Sequence, residues 1–255
     1  MQLFVQLVQL TENNLLKVNE QFEDLQLDGL KIIQSKDGYK FSTDSVLLAN
    51  FGKAKASDKY LDLCSGSGVV AILFSWKNKI KESFVVEIQE RLADMAKRSI
   101  EANNLNIKVI NDDLINCLKH FEQESIDVIT VNPPYNILTN DIEETEISIA
   151  THELKTSLES IAMTAGKLLK FGGKLFMVHR ADRIADIMFE LKKCKLEPKK
   201  LQIVYPKVQK EPNLVLIEAK KGAKSGIKIL EPLILMTQEG TETEQLKKIY
   251  NRKSK

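Results

Sequence analysis

The run Lys59-Tyr60-Leu61-Asp62-Leu63-Cys64 passes directly into Ser65-Gly66-Ser67-Gly68 and then into the apolar stretch Val69 to Trp76. A short apolar run bounded by turn residues reads as a buried strand. The glycines allow a tight turn and let a ligand approach the backbone closely. Strand, glycine turn and helix open a βαβ unit of the nucleotide-binding kind. The alternation then repeats along the chain. Ser83-Phe84-Val85-Val86-Glu87-Ile88 is predicted as a second strand and Gln89 to Asn104 as a helix with Leu92, Met95, Ala96 and Ile100 on one face. Ile107 to Ile110 and Ile126 to Val131 are predicted as the third and fourth strands. Thr156 to Lys170 is an amphipathic helix closed by Gly172-Gly173, and Lys174 to Val178 is the fifth strand. Ala181 to Lys193 is predicted helical. Leu201 to Tyr205 and Leu214 to Glu218 are the last two strands, an antiparallel hairpin across Pro206 to Asn213. The fold class is therefore α/β, a doubly wound sheet.

Upstream, Leu30 to Gln34 and Tyr39 to Ser42 flank Ser35-Lys36-Asp37-Gly38, and Asp-Gly between two such runs predicts a hairpin. Ser42 or Thr43 caps a helix from Asp44 to Phe51, and Gly52 ends it. Residues 1–20 are weakly patterned and read as a short helix or a poorly ordered extension. The end, Thr241 to Lys255, reads as a short basic helix or a tail.

No run of eighteen apolar residues exists, so no membrane span is expected. Cys64, Cys117 and Cys194 give neither a disulfide framework nor a paired metal spacing, so a cytoplasmic, reduced chain without a metal is expected. Net charge is only +2 but unevenly spread. Lys167 to Lys255 holds 21 Lys and Arg against 10 Asp and Glu, whereas the first 166 residues hold 16 against 25. A basic half beside an acidic half suits a polyanion such as nucleic acid, and also fits plain solvated lysines.

The fourth strand stops at Asn132-Pro133-Pro134-Tyr135. Two prolines cannot continue a ladder, so the chain leaves the sheet in a fixed, extended turn. That sets one amide, a rigid pair of backbone carbonyls and one aromatic ring at the carboxyl end of a strand, where open α/β sheets bind ligands. An exocyclic amine such as adenine N6 is a poor nucleophile because its lone pair is delocalised. The Asn132 side-chain oxygen and the Pro133 carbonyl can both accept from that NH2 and let the nitrogen pyramidalise, while Tyr135 stacks on the base. The competing reading is a strand-ending turn whose Asn caps its own backbone. The aromatic, the strand and the upstream glycine loop together favour chemistry.

Gly66-Ser67-Gly68-Val69-Val70-Ala71 matches the loose dinucleotide pattern, which fits NAD as well as S-adenosylmethionine. Asp62, four residues before Gly66, separates them: an acid there suits the loop or a cofactor ammonium and would repel a pyrophosphate. Glu87, at the end of the second strand, can accept both hydroxyls of a ribose. Asp113 or Asp112 would reach the adenine of a cofactor.

Asp62 to Gly68, Glu87, Asp113 and Asn132-Pro133-Pro134-Tyr135, in this order, resemble class I S-adenosylmethionine-dependent methyltransferases of the amino-methylating kind. The resemblance implies a Rossmann-like sheet of seven strands, order 3-2-1-4-5-7-6, with the last strand antiparallel. A closer resemblance, from about Val18 to Gly222, is to the tRNA1(Val) (adenine(37)-N6)-methyltransferases. It rests on Phe41-Ser42-Thr43-Asp44 and the residues after it, His152-Glu153, Leu169 to Gly173 and His179 to Arg183. It implies S-adenosylmethionine as cofactor and the anticodon loop of a valine tRNA as partner. The implied cofactor contacts are Phe41, Thr43, Asp44, Asp62, Cys64, Gly66, Gly68, Glu87, Ile88, Asp112, Asp113, Leu114 and Asn132. Cys64 and Ser65 stand where many relatives carry Gly and Cys or Thr.

His179, Arg180 and Arg183 are read as phosphate contacts, against the alternative of two arginines paired with Asp182 and Asp186. Lys207 and Lys221 are further RNA candidates. His152 and Glu153 read as a structural clasp, His120 as surface, and Asn136 to Ala150 as a lid or substrate loop. The domain division is an extension over 1–20, a hairpin and helix over 21–52, a catalytic domain over 53–230 and a basic tail over 231–255. The rival functions are methylation of guanine N2 in rRNA, of adenine N6 in DNA or of protein glutamine N5, and a non-catalytic RNA-binding module.

Overall fold

The structure, a computed structural model, describes residues 14–37, 41–134 and 156–252. Its first element pair is a hairpin, but not the expected one. Strand β1 (Glu20–Asp24) pairs antiparallel with β2 (Lys31–Ser35). The chain carries two Asp-Gly pairs, and the upstream one makes this turn. Asp28 and Gly29 both have positive φ (50° and 74°), and Leu30 N donates to Leu27 O at 2.9 Å. Two consecutive left-handed residues match the twist of an antiparallel ribbon. Gly38, Tyr39 and Lys40, on which the expected hairpin turned, lie outside the described residues. Leu15 and Leu16, within the segment read as an extension, pack beside Ile33, Leu92 and Met95.

Helix α1 (Thr43–Phe51) follows, with Ser42 at its N-cap. Gly52 ends it with φ −69°, so glycine is not required there for a left-handed turn. It is required for space: a Cβ would lie 2.5 Å from Phe74 Cε2 and 3.3 Å from Phe176. Both rings are buried and stack among Phe51 and Tyr60, so they have nowhere to retreat. Gly52→Ala is expected to destabilise the protein by about 1–3 kcal/mol, checked by urea unfolding.

The sheet is built by β3 (Lys59–Leu63), α2 (Val69–Asn78), β4 (Glu82–Glu87), α3 (Glu90–Ala102), β5 (Ile107–Asn111), β6 (Ile126–Val131), α4 (Leu158–Leu168), β7 (Leu169–Arg180), α5 (Ile184–Lys193), β8 (Leu196–Lys207) and β9 (Leu214–Lys221). Spatial order is β5-β4-β3-β6-β7-β9-β8, with β9 antiparallel to both neighbours, as expected. Two short strands enlarge it to nine. β10 (Lys228–Ile229) and β11 (Leu233–Met236) both pair in parallel with β8.

Alternation along the strands sends side chains to two cores. Tyr60 points to the layer of Val46, Phe74 and Phe176, whereas Leu61 and Leu63 join Ile129, Ile161 and Leu175 on the other face. Helices on both faces are what Val-, Ile- and Leu-rich parallel strands need. The hairpin extends the cover. Its β2 edge bonds to side chains of α3 instead of a third strand: Ser99 Oγ accepts from Ile33 N at 2.9 Å, and Asn103 exchanges two hydrogen bonds with Lys31.

Three boundaries differ from expectation. Gly172-Gly173 does not close a helix but lies inside β7, where a Cβ at Gly173 would meet two backbone carbonyls at 2.9 and 3.1 Å. The strand pairing is irregular at that point, between Ile126 and Val128. β8 runs through Pro198, which is accommodated at a bulge. Within 231–252, assigned to a basic tail, β11 adds to the sheet, and helix α6 (Glu244–Ile249), with Leu246 buried, takes the short-helix alternative expected over Thr241 to Lys255. Thr243 Oγ1 caps α6 by accepting from Leu246 N, and Arg252 pairs with Glu242 and Gln26. No described helix is long and apolar enough to cross a membrane.

Candidate active site

Strand register brings the polar turns together. Leu63 lies opposite both Val86 and Val131, and Glu87 lies opposite Asn111. Every residue that follows these positions therefore emerges on the same edge of the sheet, at the point where strand order reverses between β4 and β6. There a cleft is lined by Phe41, Cys64, Gly66, Glu87, Ile88, Asp112, Asp113, Leu114, Asn132 and Pro134 among the expected residues. Ser45, Ser65, Ser67, Gln89 and Thr156 also line it and were not anticipated. Ser67 could have been read from its place between the glycines, and Ser65 from its place just before them. Ser45 and Thr156 carry no such signal.

The loop turns through Cys64, Gly66 and Gly68 with φ of 55°, 56° and 91°. Gly68 does not line the cleft: it starts α2 and sits 3.3 Å (as a notional Cβ) from Ala96 Cβ, so it serves close packing. Glu87 fixes the loop. Its Oε2 accepts from Gly66 N at 2.8 Å and its Oε1 from Gln89 N at 3.0 Å. The carboxylate is 5% exposed, and burial raises its pKa. The Ile88 N–H adds a third backbone contact, and the carboxylate keeps acceptor capacity for a ligand.

Asp62 lies beneath the loop, 1% exposed, and not in the cleft wall. Its Oδ1 accepts from Thr130 Oγ1, which in turn meets Tyr60 OH at 2.6 Å. The neighbouring Ser65 hydroxyl and the Ala71 N–H lie close enough to favour the charged form of Asp62, against the larger effect of burial. Burial pushes the Asp62 carboxyl up to about 7 from 3.8. The folded state therefore holds this proton over a range where the unfolded state releases it. The resulting stability is complete below the unfolded value and is lost as pH rises through about 7. Between pH 5 and pH 8 the unfolding free energy is expected to fall by up to about 3 kcal/mol more in this protein than in Asp62→Asn, checked by urea titrations at both pH values.

Asp112 and Asp113 are both committed to local structure. Asp113 caps the 3-10 turn Leu114–Lys119 by accepting from Ile115 N. Asp112 accepts from Asp113 N and Asn116 Nδ2, and His120 Nε2 lies 2.7 Å from its Oδ2. These bonds, that of His120 first, lower its carboxyl to about 2. His120, read as plain surface, is thus part of the cleft's support.

Asn132 follows β6, its Nδ2 donating to Ser45 Oγ at 3.0 Å. Its Oδ1 is buried and has no partner among the described residues. Pro133 is buried behind it. Tyr135, Asn136 to Ala150, His152 and Glu153 lie outside the described residues. Thr43 and Asp44 occupy the first turn of α1 outside the cleft wall, with the Thr43 hydroxyl at Tyr250.

Two RNA candidates are corrected. His179 is 0% exposed, and burial, with Arg183 next, pushes its pKa down to about 4. A neutral imidazole inside the sheet cannot pair with a phosphate. Lys221 lies at the opposite edge, because β9 runs antiparallel, and its ammonium is bound by Glu124 and the Leu169 carbonyl. Arg180, Arg183 and Lys207 do lie at or just beyond the cleft edge of β7 and β8. Arg180 is paired with Asp182 and Arg183 with Asp186.

The acceptor-rich cleft tests which cofactor fits. Glu87, Asp112 and Asp113 line it, Asp62 underlies it, and no Lys or Arg is among its described lining residues. An acidic wall without a described Lys or Arg suits a cationic ligand with hydroxyls and would repel a pyrophosphate. The chemistry of the site thus fits S-adenosylmethionine.

A family model described as the methyltransferase small domain matches residues 31–195. The tRNA1(Val) (adenine(37)-N6)-methyltransferase of Tolumonas auensis is 23% identical over 197 residues, which are 73% of this chain and 78% of that protein. The protein of that name in Bacteroides thetaiotaomicron is 28% identical over 154 residues, 59% of this chain and 63% of the relative. Among solved structures, a protein described as a predicted O-methyltransferase from Agrobacterium tumefaciens superposes with a TM-score of 0.67 at 19% identity, covering 82% of this chain and 95% of the other, which shows a shared fold. With the glycine loop, the acidic cleft and the strand order in place, the chain belongs to the methyltransferase small domain family, and its cofactor is S-adenosylmethionine.

Proposed function

We propose that this protein methylates N6 of adenine-37 in the anticodon loop of a valine tRNA, in the cytoplasm. The observation that carries the reading is the state of Asn132: its amide nitrogen is committed to Ser45, and its buried oxygen is left as an acceptor at the cleft. The names of the relatives from Tolumonas auensis and Bacteroides thetaiotaomicron support the substrate.

When bound, S-adenosylmethionine supplies a methyl group on a sulfonium, which leaves as a neutral thioether. Glu87 and the glycine loop, which Asp62 supports from beneath, would hold it, with Phe41, Ile88, Asp112 and Leu114 around its base. Asn132 Oδ1 and the Pro133 carbonyl would accept the two N–H bonds of the adenine amine. That arrangement draws the nitrogen toward a pyramidal geometry and frees its lone pair for the methyl carbon. The nitrogen then loses one proton to solvent, so no strong base is needed. Preplaced acceptors and orientation supply the rate. Tyr135 would stack on the base, which must be splayed out of the loop to enter. Arg180, Arg183 and Lys207, on the cleft side of the basic half, would meet RNA phosphates.

The test is methyl transfer from labelled S-adenosylmethionine to unmodified total tRNA, with nucleosides separated by mass. N6-methyladenosine in a valine tRNA is the expected product. Label in ribosomal guanine, DNA adenine or protein glutamine instead would overturn the substrate, and no label in any acceptor would overturn the enzymatic reading.

A further inference from the structure

We infer that Ser45 is a positioning residue for methyl transfer: it holds the Asn132 amide with its oxygen toward the incoming amine. The inference rests on the role given to Asn132 above. A primary amide keeps nearly the same shape when it flips by half a turn, but its oxygen and nitrogen change places. Only the oxygen can accept from an NH2 group. A flipped amide would set donor against donor. The site therefore needs a group that distinguishes the two ends.

Ser45 is the group in place. Its Oγ takes the hydrogen bond from Asn132 Nδ2 at 3.0 Å, across 87 residues of sequence. The Ser45 residue is 5% exposed, at the start of the buried run Ser45 to Ala49 of α1. The other end of the same amide has no partner among the described residues. The amide is thus divided into a committed donor and an open acceptor. In this structure the hydroxyl oxygen is the acceptor, and the amide is thereby held with its nitrogen toward α1. Helix α1 thereby contributes directly to the reacting geometry, in addition to covering the sheet.

The experiment compares Ser45→Ala in two backgrounds by single-turnover methyl transfer to an unmodified tRNA transcript. In the natural background the rate is expected to fall about 10-fold, the loss of one buried hydrogen bond, with the Kd for S-adenosylmethionine unchanged within about twofold by calorimetry. Asn132→Asp offers an acceptor oxygen in either orientation, so it has no wrong orientation to adopt. In that background Ser45→Ala is expected to change the residual rate by less than about twofold. Ser45→Thr keeps the hydroxyl and is expected to stay near the parental rate. Equal slowing in both backgrounds, or equal slowing by Ala and Thr, would mean a merely structural role and overturn the inference. If Asn132→Ala is inactive while Ser45→Ala is fully active, the inference fails and the role of Asn132 stands. Full activity of Asn132→Ala removes both.

Discussion

Asn132→Ala is expected to slow methyl transfer by on the order of 10²–10³-fold while the Kd for S-adenosylmethionine changes by no more than about threefold. The asymmetry follows from where the side chain is spent. Its nitrogen bonds to Ser45, and its oxygen is a buried acceptor without a partner among the described residues, on a residue that lines the cleft. An acceptor that matters only as the amine nitrogen becomes a nucleophile lowers the barrier without tightening the ground state. The Pro133 carbonyl remains in the variant, so a residual rate is expected. Single-turnover rates and calorimetric titration on the same preparation decide it. Loss of rate and of affinity by the same factor would remove the assigned role.

The second large effect is expected at Glu87, with the opposite signature. Glu87→Ala leaves Gly66 N–H and Gln89 N–H without the oxygens that they now meet at 2.8 and 3.0 Å. A buried donor left without an acceptor costs about 1–3 kcal/mol. The glycine loop, held at φ of 56° and 91°, would lose the contact that keeps Gly66 in its left-handed state. The Kd for S-adenosylmethionine is therefore expected to rise on the order of 100-fold, and Tm to fall by several degrees, roughly 2–4 °C for each kcal/mol in a chain of this size. Glu87→Gln keeps one acceptor and is expected to fall between. Calorimetry and thermal unfolding read both numbers. Unchanged affinity in Glu87→Ala would show that the carboxylate neither shapes the loop nor touches the cofactor.

These two residues illustrate how far local sequence carries. Glu87 was legible because it ends an apolar run 19 residues after Gly68, and Asn132 because two prolines stop the next such run. Period and chain-breaking residues are local properties, so the seven strands, their helices and the cofactor edge could be read from them. The direction of each strand also fixed which residues would emerge together.

Pairing choices between distant segments were not legible. The chain carries both Asp28-Gly29 and Asp37-Gly38. Gly38 to Lys40 lie outside the described residues, and β2 pairs with β1 through the first Asp-Gly. Its partner was settled by α3, whose Ser99 and Asn103 satisfy the other edge of β2. In the same way Gly172-Gly173 resembles a helix stop but serves a close backbone approach within β7. His179 and Lys221 looked like candidates for phosphate because sequence shows a charge and not its surroundings. The sheet buries the first and turns the second to the far edge.

The α/β class, the glycine loop and the Asn132-Pro133-Pro134 turn were legible in the order of residues alone, since each depends on positions close to one another in the chain. Only the tertiary structure decided that α1 brings Ser45 onto the Asn132 amide and that Asp62 lies buried beneath the loop with a carboxyl raised to about 7. Burial and long-range contact are properties of the packed chain, and no local pattern encodes them.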